Sequence, residues 1–131
     1  MTKHVLVDTD VMVDFLRGHP KAVALVHAQS VLIILSSIVV AELCAGVRGD
    51  EELSSLDSLI HLFPIVSVSP ELARIAGLYK RDYARSYGVG LADAIMAATA
   101  QTENADLITL NIKHYPMIKG LKPAYTKTSE G

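Results

Sequence analysis

Short runs of β-branched and aliphatic residues alternate along this chain with longer segments of helical character. The strand-like runs lie at residues 5–7, 31–35, 65–68 and 106–110. Strands separated by helices are typical of parallel sheets, in which each connection crosses one face of the sheet. Because such crossovers are right-handed, successive strands join one sheet with helices on both faces. The alternation therefore predicts an α/β fold built on a central parallel sheet.

Capping residues and glycines set the ends of the predicted helices. Asp10 is predicted to cap a first helix at residues 11–17, and Ser36 and Ser37 to cap the helix that carries Glu42. The remaining helices are predicted at residues 21–29, at 51–61, from 69 towards 87, and at 91–101. Every predicted connection between two strands thus contains at least one helix.

Length, hydropathy and charge limit the class of protein. The chain has 131 residues, and we expect one domain over residues 1–131 with a frayed tail at 126–131. Half of the residues are hydrophobic, yet no apolar run approaches the roughly 18 residues that a membrane helix needs. No signal peptide precedes the first strand, so we expect a cytoplasmic protein without a membrane partner. A formal net charge of −2 excludes a generally basic nucleic-acid binder, so a polyanion must bind at a local patch.

Four carboxylate or amide side chains interrupt or end apolar stretches of the sequence. Asp8 follows the first strand, Glu42 lies within an apolar helix, Asp93 lies in the first turn of its helix, and Asn111 ends the last strand. Acids at such places destabilise a fold unless a cation or hydrogen-bond donors compensate them, so we interpret them as functional. Oxygen ligands of this kind favour Mg²⁺ or Mn²⁺ over zinc. The four residues are therefore candidates for a divalent-metal site.

The predicted topology can bring these side chains to one edge of the sheet. Asp8 and Asn111 both follow strands, and ligands of open α/β sheets bind beyond the carboxyl ends of the strands. Asp93 and Glu42 reach the same edge if their helices begin there. The alternative is a buried ion-pair network, although no lysine or arginine lies within the same apolar motifs.

Four strings of residues, in this order, resemble those of the PIN domain family. They are LVDTDV at residues 6–11, SIVVAEL at 37–43, LADAIMAATA at 91–100 and TLNIKHY at 109–115. More narrowly, the chain resembles the small VapC toxins of bacterial and archaeal VapBC toxin–antitoxin systems. The resemblance extends over nearly the whole chain, and the combination of strings is far more specific than any one of them.

The resemblance implies a three-layer α/β/α sandwich and a metal-dependent endoribonuclease. The resemblance assigns the acids of the site to Asp8, Glu42 and Asp93, which are the expected ligands of Mg²⁺ or Mn²⁺. It also implies that Glu42 orients or deprotonates the attacking water. Hydrolysis by water would leave a 5′-phosphate and a 3′-hydroxyl. Asn111 stands where many relatives have aspartate and is expected to be an auxiliary ligand, because an amide adds no charge and cannot act as a base. Relatives often have asparagine at the position of Asp10. The aspartate here either caps its helix or supplies some of the negative charge that Asn111 lacks.

Basic, hydroxyl and aromatic side chains near the predicted site are candidates for RNA binding. Arg85, Lys113 and His114 are predicted to contact the substrate, and Thr109 to hydrogen-bond within the site or with RNA. These basic residues form two groups, one on the helix before Asp93 and one after Asn111. The other members of the two groups are Lys80, Arg81, Lys119 and Lys122. Three tyrosines are candidates either to stack on unpaired bases or to fill core and rim positions, namely Tyr83, Tyr87 and Tyr115.

Two other functions remain open at this level. The string Asp8-Thr9-Asp10 after a strand is also similar to the nucleophile motif of haloacid-dehalogenase-like phosphohydrolases, in which the first aspartate attacks phosphorus. That motif normally continues with threonine, where this chain has Met12. The other alternative is a catalytically weak PIN-like module that binds RNA or protein. A receiver-type signalling domain would need an acceptor aspartate after a middle strand, and residues 65–69 supply none.

The resemblance also implies protein partners. Toxins of this kind are neutralised by a small VapB-like antitoxin whose C-terminal segment lies over the active-site groove, often with an arginine or lysine directed at the acids. A homodimer is expected as well. We further expect a second copy or antitoxin helices to cover an apolar patch formed by Leu53, Leu56, Leu59, Ile60 and Leu62.

Overall fold

A computed structural model describes residues 3–127 of the chain as a four-stranded parallel sheet with helices on both faces. The strands are β1 (Val5–Val7), β2 (Ile33–Ser36), β3 (Ile65–Val66) and β4 (Asp106–Ile108). Their order across the sheet is β3-β2-β1-β4, and every neighbouring pair is parallel. The predicted three-layer α/β/α fold is confirmed.

Helices fill each connection between the strands. They are α1 (Thr9–Leu16), α2 (Pro20–Gln29), α3 (Ser37–Ala45), α4 (Asp50–Ile60), α5 (Pro70–Tyr87) and α6 (Leu91–Thr102), and a 3₁₀ turn follows at Ile112–His114. Each α-helix overlaps a predicted helix. Among residues 3–127, no helix has both the length and the apolar surface that a bilayer crossing demands.

The central position of β1 determines which residues meet at the edge of the sheet. Leu6 pairs with Ile34 of β2 on one side and with Leu107 of β4 on the other. Pairing continues past the end of β1, because the backbone N–H of Asp8 donates to the carbonyl of Ile108 at 2.9 Å. Residues that follow β1 and β4 are therefore neighbours, although about a hundred residues separate them in sequence.

The first helix begins earlier than predicted. Its N-cap is Asp8, whose Oδ1 accepts a hydrogen bond from the backbone N–H of Thr9 at 2.8 Å. Asp10 lies inside the first turn, so its predicted role as the N-cap is wrong. The strand ends at Val7 and the chain turns at once, which leaves the first of the two aspartates at the cap position. For α3 the prediction is confirmed, since the Ser36 hydroxyl caps the N–H of Ile38 at 3.1 Å.

Three strands are shorter than predicted, and one of them is β3, which ends at Val66 instead of residue 68. Residue 31 belongs to the turn after α2, where Val31 is 88% exposed, and β2 begins at Ile33. At the other end, β4 stops at Ile108 and the chain leaves the sheet at Thr109. In all three cases apolar side chains continue beyond the strand, and periodicity does not mark where backbone pairing ends.

The core takes up part of the apolar face that was predicted to bind a partner. Leu56 and Leu59 of α4 are 1% and 9% exposed and pack in the main hydrophobic cluster. Their predicted place in an exposed docking patch is therefore wrong. Leu53 and Leu62 remain exposed, at 37% and 72%. The helical spacing of the buried leucines reflects contact with the core, which is the ordinary reason for an apolar stripe.

The end of the described chain is attached to the first two helices. The Tyr125 hydroxyl donates to Asp14 Oδ2 at 2.7 Å, and Lys127 Nζ lies 3.0 Å from Asp14 Oδ1. Lys21 Nζ donates to the carbonyl of Thr126 at 2.5 Å. Residues 126 and 127 of the predicted frayed tail thus make defined contacts, and its other residues, 128–131, lie outside the described residues.

Candidate functional site

Asp8 forms the buried centre of the candidate site. It is 7% exposed at the carboxyl end of β1. While Oδ1 caps α1, Oδ2 accepts two hydrogen bonds, from the Thr109 hydroxyl at 2.9 Å and from the Tyr115 hydroxyl at 2.6 Å. These donors come from the segment after β4, so the adjacency of β1 and β4 in the sheet creates this environment.

Asp93 approaches the same tyrosine from the first turn of α6. Its Oδ1 lies 3.3 Å from the Tyr115 hydroxyl, and its Oδ2 lies 3.0 Å from His114 Nδ1. One phenol group thus lies between the carboxylates of Asp8 and Asp93. Burial raises the pKa of Tyr115 and the two carboxylates reinforce that shift, so its hydroxyl keeps its proton and acts as a donor.

Asp10 connects α1 to the segment after β4. Its Oδ1 accepts from its neighbour, the N–H of Val11, at 2.7 Å, and its Oδ2 accepts from the N–H of Leu110 at 3.0 Å. The Thr109 hydroxyl lies 3.4 Å from the same Oδ2. Asp10 therefore holds the loop that carries Thr109 against the start of α1 and brings a further negative charge close to Asp8.

The acids in this cluster are incompletely neutralised. Burial raises the pKa of Asp10, and the charge of Asp8 adds to that rise, against hydrogen bonds from Leu110, Val11 and Thr109. For Asp93, burial also raises the pKa; the charge of His114 opposes this and the charge of Asp8 reinforces it. Within residues 3–127, no lysine or arginine forms an ion pair with any of the three aspartates. The site therefore concentrates negative charge that lacks a lysine or arginine partner among the described residues.

Glu42 and Asn111 lie at the border of the acid cluster. Glu42 is exposed on α3, and its Oε1 accepts a hydrogen bond from the Thr9 hydroxyl at 2.6 Å, which ties it to the residue after Asp8. Asn111 is exposed, and its Nδ2 lies 2.8 Å from His114 Nδ1. Because a single ring nitrogen cannot donate to Asp93 and also accept from the amide, His114 satisfies only one of these neighbours at a time.

The predicted ligands do not form a closed metal site. In the part of the chain that the structure describes, no three His, Cys, Asp or Glu side chains converge closely enough to hold an ion. The chemistry of the donors nevertheless fits a hard dication, since the donors are carboxylate oxygens that pair with no lysine or arginine among the described residues. Asp8 and Asp93 are the pair that the structure brings together, and Glu42 is linked to the residue after Asp8 through the Thr9 hydroxyl.

The candidate RNA-binding residues fall into three environments. Arg85, in the last turn of α5, and Lys113, in the 3₁₀ turn after Asn111, are exposed, whereas His114 is half-buried against Asp93. Lys119 and Lys122 line a cavity at the amino end of β4 together with Asp106, rather than the acidic edge. Of the other predicted basic residues, Arg81 pairs with Asp82 at 2.8 Å, and Lys80 Nζ lies 3.4 Å from the carbonyl of Val89.

For two residues of the site, the structure decides between the options that the sequence left open. Thr109 is completely buried, so its hydroxyl serves Asp8 and Asp10 and is not available to a substrate in solution. Tyr115 is 1% exposed, which excludes the predicted option of stacking on bases and confirms the core option. Sequence reasoning missed its contact with both aspartates. The available signal was a tyrosine in an otherwise core-like segment, since a buried tyrosine hydroxyl normally has a hydrogen-bond partner.

A groove opens beside Glu42 between the first, third and fourth helices. Its volume is about 540 Å³. The lining residues are Val13, Leu16, Arg17, Glu42, Leu43, Gly46, Val47, Arg48, Glu52, Ser55 and Leu56. Leu16 is 45% exposed at this groove, so an apolar floor meets charged side chains of both signs.

Comparison with known proteins identifies relatives over most of the chain. A family model for the PIN domain matches residues 5–116. Ribonuclease VapC19 of Mycobacterium tuberculosis strain H37Rv is 39% identical over 124 residues, which cover 92% of this chain and 98% of that protein. A chain in a toxin–antitoxin complex from Klebsiella pneumoniae has a TM-score of 0.80 and 26% identity, with coverage of 92% of this chain and 98% of that one. A chain in the DNA-bound VapBC2 of Rickettsia felis has a TM-score of 0.72 and 27% identity, with coverage of 89% and 94%. The predicted resemblance is confirmed.

Proposed function

Because this chain belongs to the PIN domain family, we propose that it is a metal-dependent endoribonuclease and the toxin of a toxin–antitoxin pair. The relatives support both parts, since one is named a ribonuclease and others come from toxin–antitoxin complexes. The observation that carries the proposal is the acid pair Asp8 and Asp93, which meet at Tyr115 without a lysine or arginine partner among the described residues. Family membership also removes the haloacid-dehalogenase-like alternative.

The proposed cofactor is Mg²⁺ or Mn²⁺, held by Asp8 and Asp93 with Glu42 as a further ligand. When bound, such an ion lowers the pKa of a coordinated water and neutralises charge that develops on the phosphate oxygens. Thr109 and Tyr115 orient the Asp8 carboxylate through its Oδ2. Asn111 supplies an amide that can orient a water, whereas it cannot remove a proton.

Glu42 is the proposed residue that orients or deprotonates the attacking water. Its carboxylate is exposed and accepts a hydrogen bond from the hydroxyl of Thr9, the residue after Asp8. Among the described residues, no basic side chain forms an ion pair with it. Water attack on phosphorus with departure of the 3′-oxygen leaves a 5′-phosphate and a 3′-hydroxyl. The exposed Arg85 and Lys113, with His114 beside Asp93, are proposed to contact the RNA.

The groove between α1, α3 and α4 is the proposed docking site of a VapB-like antitoxin. Glu42 forms part of both the groove and the candidate site, so a segment that fills the groove also reaches the acids. The apolar floor around Val13 and Leu16 suits an amphipathic helix, and a basic residue of the partner would meet the uncompensated carboxylates. A homodimer is also part of the proposal, with the exposed Tyr87 and Leu91, each 54% exposed, as apolar surface for a second copy.

Cleavage of a structured RNA pool tests the nuclease proposal. We expect the purified protein to cleave RNA in Mg²⁺ or Mn²⁺, to lose activity in excess chelator, and to yield 5′-phosphate ends in end mapping. Asp8→Asn and Asp93→Asn should both be inactive while remaining folded. Because the described residues lack a closed ligand set, a catalytically weak module that binds RNA or protein is the second candidate. RNA binding without metal-dependent cleavage would favour that candidate and refute the enzyme.

A further inference from the structure

Tyr115 places one hydroxyl group between two carboxylates that come from distant parts of the chain. We propose that Tyr115 is a positioning residue, whose hydroxyl sets the orientation and separation of the Asp8 and Asp93 carboxylates for metal binding. This inference rests on the proposed function, since it assigns the residue a role in the same site. The distances that carry it are 2.6 Å from the hydroxyl to Asp8 Oδ2 and 3.3 Å to Asp93 Oδ1.

Packing and backbone hydrogen bonds hold the Tyr115 ring in place. Tyr115 is the largest of the fully buried side chains and belongs to the main hydrophobic cluster. Its backbone is held on both sides, because its N–H donates to the carbonyl of Ile112 at 3.1 Å and its carbonyl accepts from the N–H of Ile118 at 3.0 Å. A packed ring on a fixed backbone gives the hydroxyl a fixed position. The two carboxylates can therefore be oriented by it.

The carboxylates of Asp8 and Asp93 have more acceptor positions than their protein donors use. An ionised carboxylate offers about four acceptor positions. Asp8 uses three of them, for Thr9, Thr109 and Tyr115, and Asp93 uses two, for Tyr115 and His114. The tyrosine has one proton, so its hydroxyl makes a bifurcated hydrogen bond, with the shorter arm to Asp8 and the longer arm to Asp93. Both carboxylates thus keep acceptor positions for a cation while the hydroxyl limits how they can rotate.

The ring and the hydroxyl of Tyr115 have separate roles. A phenylalanine at this position would fill the same space in the core, so packing does not require the oxygen atom. Without the hydroxyl, Asp8 Oδ2 would accept a hydrogen bond only from Thr109, and Asp93 Oδ1 would lose its contact with Tyr115. Donors that orient metal ligands in this way typically change metal affinity by about 10- to 100-fold when they are removed.

The test compares two tyrosines that make the same kind of bond. Tyr115→Phe removes the hydroxyl between Asp8 and Asp93, whereas the control Tyr125→Phe removes a hydroxyl that donates to the buried Asp14 at 2.7 Å. Mn²⁺ binding to each folded protein is measured by electron paramagnetic resonance or calorimetry, without RNA. We expect Tyr115→Phe to bind Mn²⁺ about tenfold or more weakly. We expect Tyr125→Phe to bind Mn²⁺ like the wild type and to melt at a lower temperature.

Kinetics provide a second measurement. In Tyr115→Phe, kcat for RNA cleavage at limiting Mn²⁺ should fall and should recover as Mn²⁺ is raised, while KM for RNA stays unchanged. A merely structural role would not produce recovery by the ion. Equal Mn²⁺ affinity in Tyr115→Phe and the wild type, or equal losses in both variants, would overturn the inference.

The wild-type protein gives a further check that does not depend on how well a variant folds. Metal binding at the two carboxylates should change the environment of the phenol and produce a tyrosine difference band in the near-ultraviolet spectrum on addition of Mg²⁺, which Tyr125→Phe should retain. Absence of this band in a wild type that binds Mg²⁺ overturns the inference. A wild type that neither binds Mn²⁺ nor cleaves RNA instead refutes the proposed function, so the two failures are distinguishable.

Discussion

The two ends of α1 carry buried aspartates in almost the same local setting. Asp8 at the N-cap and Asp14 in the last turns are 7% and 6% exposed. Each accepts a hydrogen bond from a tyrosine hydroxyl located after β4, at 2.6 Å from Tyr115 and at 2.7 Å from Tyr125. Burial and the tyrosine partner therefore do not distinguish a structural carboxylate from a functional one.

The charges around the two aspartates differ. Burial raises the pKa of Asp14, yet hydrogen bonds from Tyr125 and Lys127, with the charges of Lys127 and His19, bring it below its usual value. Asp8 has Asp10 and Asp93 as its charged neighbours, and the pKa of each of these is raised. A buried acid beside a cation ties elements together, whereas a buried acid beside other acids is favourable only when a cation arrives. The comparison thus supports the proposal that the Asp8 end is the functional site.

The largest expected effect is on catalysis. Asp93→Asn keeps the size of the side chain and removes a proposed metal ligand, so we expect RNA cleavage to fall by about a hundredfold or more. Asp14→Asn, the matched change at the other end of α1, should cleave RNA at the wild-type rate. Initial rates on the same RNA pool check both. Similar losses in the two variants would remove the distinction between the ends.

The next effect is stabilisation by metal. A ligand that binds only the folded state at a hundred times its Kd stabilises by about 2.7 kcal/mol. We therefore expect Mn²⁺ to raise the melting temperature of the wild type and of Asp14→Asn, and to leave that of Asp8→Asn nearly unchanged. Scanning calorimetry with and without excess chelator measures the shift. A shift that survives in Asp8→Asn would place the ion elsewhere.

A smaller loss of stability is expected at the opposite end of the helix. Asp14→Asn weakens charge-assisted hydrogen bonds to a buried group, which costs about 2 kcal/mol of unfolding free energy. Lys127→Met should cost no more than about 1 kcal/mol, because the lysine side chain is 48% exposed. Urea denaturation at neutral pH in chelator gives both values. If Asp14→Asn were as stable as the wild type, the Asp14 contacts would have no structural role.

The sequence predicts the architecture better than it predicts the site. Alternating strands and helices produced the correct fold because periodicity and capping act over a few residues. The cap of α1 was misassigned because Asp8 and Asp10 both lie within one turn, and only the end of β1 decides between them. The stripe on α4 was read as a docking surface although Leu56 and Leu59 face the core. A local pattern predicts an apolar face but does not indicate whether the core of the same chain or another protein covers it.

Contacts between distant residues explain what the sequence did not reveal. Tyr115 meets Asp8 across 107 positions of the chain, and the same distance in sequence hides the partner of Asp14, since Tyr125 lies 111 positions away. Both contacts depend on β4 lying beside β1, and on where each tyrosine falls after β4 leaves the sheet. The acids themselves were visible because they interrupt apolar runs. Their different charge environments appear only after folding.

The smallest effect, and the one that most sharpens the comparison, is the opposite pH dependence of the two ends. The pKa of Asp14 is lowered by folding, so its contribution to stability is complete above the unfolded value of about 3.9 and is lost as pH falls through the folded pKa. The pKa of Asp93 is raised by folding, so its contribution is complete below about 3.9 and is lost as pH rises through the folded pKa. In chelator, lowering the pH should therefore shrink the stability advantage of the wild type over Asp14→Asn. The same change of pH should improve the wild type relative to Asp93→Asn. Urea denaturation at a series of pH values measures both differences, and slopes of equal sign would contradict the assignment of one end to structure and the other to metal binding.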